Sequence, residues 1–102
     1  MKESKQLKMI GGSYWYVERK VSFYDMLSNS YQTTIIYEKW EGREKEEVEV
    51  GDTVVIIKYG IKGMVKSVEK YRDGVLNVFV TIGTDTVSMT SRRVGILEKG
   101  KR

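Results

Sequence analysis

Apolar and polar residues alternate along this chain with the period of two that belongs to strands, and no stretch predicts an amphipathic helix. From Tyr14 to Tyr24 aromatic and β-branched residues crowd together. Trp15, Val17, Val21 and Phe23 share one phase, broken by Arg19, while Tyr14, Tyr16, Glu18 and Lys20 share the other. Bulk at Cβ packs against cross-strand neighbours, so the segment reads as a strand. Asp25 to Ser30 interrupts it, with room for a short helical turn around Tyr24–Leu27, and Ser28-Asn29-Ser30 supplies turn chemistry. Thr33 to Trp40 is the second strand, an antiparallel partner of the first. Trp15, Phe23, Ile36 and Trp40 are expected in a core, which leaves Tyr14, Tyr16 and Tyr37 available on the surface. Met9 and Ile10 are the first residues expected to pack.

The run from Glu41 to Glu47 carries no apolar side chain and separates two apolar regions, which marks a boundary. Its charges read as a solvated connection. A calcium loop spaces oxygen ligands around a glycine, and this run does not. Beyond it strand signals recur at short intervals: Val48–Val50, Thr53–Lys58, Met64–Val68, Leu76–Ile82, Thr86–Thr90 and Val94–Leu97. Gly51-Asp52, Gly60 with Gly63, Asp73-Gly74 and Gly83-Thr84-Asp85 punctuate them. Asp73-Gly74 is the strongest hairpin signal, since both central positions of a type I′ turn take positive φ. The pattern predicts an all-β chain: a small five-stranded barrel from residue 48 onward, carrying an N-terminal β-hairpin extension over residues 1–47.

Val50-Gly51-Asp52-Thr53-Val54, followed by Gly60-Ile61-Lys62-Gly63-Met64-Val65, resembles the SH3-like barrels of KOW and related translation- and transcription-associated domains. The resemblance spans about residues 48–97. It implies an SH3-like barrel, and a partner that is nucleic acid or a protein of the transcription or translation machinery. The family's longer basic loop is absent, because only Lys62 lies inside the glycine turn, flanked by Lys58 and Lys66.

Composition narrows the chemistry. The chain of 102 residues has no Cys, His or Pro. Thiolate nucleophiles, disulfides and histidine-based triads are therefore excluded. No phosphate-binding or nucleophile-elbow motif occurs, and Asp52, Asp73 and Asp85 sit beside glycines as turn residues. A barrel this small leaves little room for a deep pocket of ~300 Å³ or more. The expectation is a binding module without enzymatic activity or cofactor, in the cytoplasm and away from membranes.

The net charge of +4 lies wholly in the second half, where ten basic residues face six acidic ones. Lys58, Lys62, Lys66, Lys70 and Arg72 gather around the glycine turn and the strand after it, with Tyr59 and Tyr71 interleaved, and Arg92 and Arg93 follow the fourth barrel strand. Lysine and arginine neutralise phosphates while tyrosine stacks on bases, so these residues form a candidate nucleic-acid face. Lys62, Lys66 and Lys70 recur every four residues, which on a regular strand gives them a common side. The same lysines also read as guards of a half-exposed sheet. The alternative is a small modulator, of the adaptor or inhibitor kind that phages make, that binds a single host protein through Tyr14, Tyr16 and Tyr37.

Overall fold

The computed structural model describes residues 11–100. The chain is all-β, with seven strands among these residues in two sheets. Strands β1 (Tyr16–Asp25) and β2 (Ser30–Lys39) form a two-stranded antiparallel hairpin. Strands β3 (Thr53–Ile56), β4 (Ile61–Lys70), β5 (Leu76–Ile82), β6 (Asp85–Thr90) and β7 (Val94–Glu98) form an antiparallel sheet in the order β6-β5-β4-β3-β7. A 3-10 turn, Ser91–Arg93, joins β6 to β7. The sheet stays open, with β6 and β7 at opposite ends. The expected Met9 and Ile10 contacts lie outside the described residues.

One face of the five-stranded sheet holds the core: Val54, Val65, Leu76, Val78, Val80, Val94 and Ile96, closed by Trp15 and Val48. Even-numbered β5 residues point inward because side chains alternate across a strand. Val55 points the other way and is also fully buried. It pairs with Gly95, and the Tyr16 ring occupies the space where a Gly95 Cβ would stand. Strand β3 is thus covered on both faces, which accounts for the unbroken Val54-Val55-Ile56 run.

The hairpin root is tied to the sheet by its backbone. The Ile96 N–H donates to Tyr14 C=O at 2.9 Å, Trp15 bridges Ile96, and Ser13 and Glu46 exchange two backbone bonds of 2.9 and 3.0 Å. Edge strand β7 is thereby capped. Glu46, inside the charged boundary run, is a structural partner, and its carboxylate also accepts the Trp15 indole N–H at 3.1 Å.

Asp52 is the buried clasp of the second half. Its carboxylate accepts Glu49 N–H (2.8 Å), Gly100 N–H (2.8 Å) and Lys99 Nζ (2.7 Å). Three donors on one buried carboxylate hold the Val50-Gly51-Asp52 entry against the C-terminal segment. Lys99 is half-buried in this clasp.

Several turns match the sequence. Asp73 and Gly74 both take positive φ (55° and 78°), and Val75 N–H closes the turn on Arg72 C=O at 2.9 Å. Gly83 alone has positive φ in the two-residue β5–β6 turn, the type II′ pattern. Gly63 departs from expectation. It lies inside β4, where a Cβ would stand 2.5 Å from Val80 Cγ1, so it permits close approach to β5 and makes no turn. The interruption at residue 25 is a four-residue hairpin loop over 26–29, with Tyr24 still in β1, so the helical turn expected around Tyr24–Leu27 does not form.

Candidate functional site

The hairpin projects from the sheet. Its strands pair through ten rungs, from Tyr16 with Lys39 to Asp25 with Ser30. At ~3.3 Å per residue such a ladder is about 30 Å long. The molecule accordingly measures 54 × 34 × 26 Å, with a radius of gyration of 15.8 Å. A compact domain of this length is expected near 13 Å.

Only the root is packed. Tyr16 covers Gly95, and Glu18 accepts from Lys62 Nζ at 3.2 Å, whose pKa is raised by that hydrogen bond and by the carboxylate's charge. Farther out the expected core fails. Trp15 is buried and Ile36 half-buried, but Phe23 is 48% and Trp40 43% exposed. Among the described residues no second sheet covers the hairpin, so strand alternation sorts its residues to two faces without burying either. Of the expected surface tyrosines, Tyr14 is exposed beside Lys39 Nζ, 3.7 Å from its ring centroid. Tyr16 and Tyr37 are half-buried, Tyr16 by its seat on Gly95. Trp40 stands edge-on to Trp15 at 6.2 Å, with the Arg43 guanidinium 3.6 Å above Trp15 and 4.7 Å from Trp40.

Among the described residues the distal end carries the most exposed of the large apolar side chains. Leu27 is 99% and Met26 84% exposed, and Phe23, Tyr24 and Tyr31 stand exposed beside them. Polar side chains hold this tip in shape. Leu27 N–H donates to Asp25 Oδ1 (3.0 Å), Tyr24 OH to Asn29 Oδ1, and Gln32 Nε2 to Ser28 Oγ (3.2 Å) and Ser30 Oγ (3.1 Å). Asn29 takes positive φ, and Tyr24 meets Tyr31 edge-to-face at 5.2 Å. The loop is therefore held by its own polar side chains without burying Met26 or Leu27, which makes the tip, with Tyr24 and Tyr31 beside it, a candidate interaction surface. Sequence reasoning passed over this pair. The available signal was two bulky apolar residues placed inside turn chemistry at Asp25 to Ser30.

The expected basic face is divided among separate places. Strand β4 carries a bulge between Val65 and Ser67, which leaves Lys66 unpaired with β5 and reverses the strand's phase. Lys70 therefore lies on the side of Val68 and buried Leu76, beside Val50, while Lys62 lies on the opposite side with Glu18. Lys66, Arg72 and Arg92 are exposed and dispersed. Lys58, Tyr59 and Arg93 do meet, joined by Tyr71, around a groove of about 710 Å³ beside β6. A space of that size was not expected. It exists because the sheet remains open at β6.

That groove has no carboxylate among its lining residues. Among the described residues no group of three or more acidic side chains is arranged for a metal, and no helix is long and apolar enough to cross a membrane. No protein-family model, curated protein or solved structure matches the chain.

Proposed function

We infer that the chain is a non-enzymatic binding module that engages a protein partner through the tip of its β1–β2 hairpin. The observation that carries this is the exposure of Met26 and Leu27 on a loop already fixed by its own hydrogen bonds. Burying the pair releases ordered water from about two large side chains, worth ~1.5–3 kcal/mol each. Preorganisation keeps the ordering cost small. Tyr24 and Tyr31 flank the pair, and tyrosine is favoured at the energetic centre of interfaces.

The body that carries the hairpin is, on this account, an SH3-like sheet of the KOW type that is left open at β6 instead of closing into the expected barrel. The Val50-Gly51-Asp52 entry into β3 and the antiparallel order of β3 to β6 support it. The resemblance directs the partner toward a protein of the transcription or translation machinery. Direct binding of a nucleic-acid backbone is less favoured, because the bulge at Lys66 splits the lysines and Glu18 neutralises Lys62.

Affinity capture from nuclease-treated lysate tests this. The chain should retain one stoichiometric protein, and a Met26→Ser, Leu27→Ser double variant should lose it. Retention of the partner by the double variant, or capture that vanishes with nuclease, contradicts the proposal.

A further inference from the structure

The free edge of β6 carries a second surface, independent of the hairpin. Asp85 pairs with Ile82 across the two-residue turn, so the turn bond directs the Asp85 N–H toward β5. Antiparallel ladders alternate inward and outward backbone groups. Thr86 and Ser88 therefore point their N–H and C=O groups away from β5. Among the described residues no backbone group pairs with them there.

Exposed edges are normally guarded by lysine, proline, a bulge or a covering segment. Among the described residues strand β6 has none of these: its one charge is Asp85 at the turn end, and its register with β5 runs unbroken over six residues. The opposite edge, β7, is capped by Tyr14 and Trp15.

The groove adjoins this same edge and reaches from it to Ile56 and Ile61. Val87 and Met89 line it from one face of β6, and Ser88 and Thr90 from the other. A space that touches both faces of an edge strand is where an added strand would lie. Lys58 and Arg93 also line it, and no carboxylate does.

We propose that the β6 edge accepts an extended segment of a partner protein as an added strand, and that this segment alternates apolar with acidic residues. Its main chain pairs with Thr86 and Ser88. Its apolar side chains fill the groove beside Val87 and Met89, and its carboxylates meet Lys58 and Arg93. Strand addition draws affinity from the main chain and specificity from alternate side-chain sites.

The probe is a fluorescein-labelled capped octapeptide alternating valine and glutamate, followed by anisotropy and by amide exchange of the full chain. Binding should slow exchange at Thr86 and Ser88. Ser88→Pro removes an outward N–H, so the β5–β6 ladder survives while affinity falls about tenfold or more. Lys58→Glu with Arg93→Glu should reverse the preference toward the same peptide built with lysine. Unchanged affinity in Ser88→Pro, or no charge reversal, overturns the proposal. So does protection of Ser88 by a thymidine decamer and not by the peptide, or a concentration-dependent dimer that Ser88→Pro abolishes. None of these outcomes bears on capture through Met26 and Leu27, so the two surfaces stand or fall separately.

Discussion

Asp52 shows how a residue that reads as turn chemistry becomes a structural anchor. Its buried carboxylate joins the nearby Glu49 N–H to Lys99 and Gly100 of the distant C-terminal segment, and Asp52→Ala should cost about 3 kcal/mol in urea unfolding, since it leaves two backbone N–H groups without their acceptor and removes one of the partners of Lys99. Gly95 is a second fixed point. Any Cβ there overlaps the Tyr16 ring, so Gly95→Ala should destabilise by ~1–3 kcal/mol and shift the Tyr16 ring resonances. Ser91 gives the opposite sign. Its buried hydroxyl has no hydrogen-bond partner among the described residues, and Ser91→Ala should raise stability by about 1 kcal/mol while sparing the Ser13 bond to the Ser91 carbonyl. The turn residues were legible in the sequence because positive φ selects Gly, Asn and Asp locally, as at Asp73-Gly74 and Asn29. Asp52's burial was not, because Lys99 and Gly100, which hold it against the C-terminal segment, lie 47 and 48 positions away.

At the scale of elements, period-two alternation disclosed the strands but not what covers them. Phe23 and Val21 share a phase with buried Trp15, yet the sheet ends beneath the hairpin root and Phe23 remains in solvent. The lysine spacing in β4 misled for a related reason: a bulge adds one residue, and everything beyond it changes face. Because Met26 and Leu27 contribute no buried contact, the Met26→Ser, Leu27→Ser variant should unfold within about 0.5 kcal/mol of the parent chain. At the root, the Glu18–Lys62 pair has a defined pH signature. The folded-state pKa of Lys62 is raised above 10.5, so its contribution to stability is complete below that value and is lost as pH rises through the higher folded value. The stability difference between the parent chain and Lys62→Met should therefore hold constant across neutral pH and shrink only in the alkaline limb. Both groups are largely exposed, so salt should reduce it as well.

The whole molecule is a packed sheet that carries a long, sparsely covered arm. The sheet supplies the core, and the bonds of Ser13, Tyr14 and Trp15 fix the direction in which the arm leaves it. That division explains why function was harder to read than fold: the core residues repeat a pattern, whereas the exposed tip is defined by the absence of neighbours, which no local pattern records. The most direct check is an amide hydrogen-exchange footprint of the captured complex against the free chain. The account predicts new protection concentrated at residues 23–31, with the core of β3 to β5 unchanged. Protection that spares those residues and appears only along the lysines of β4 would contradict it.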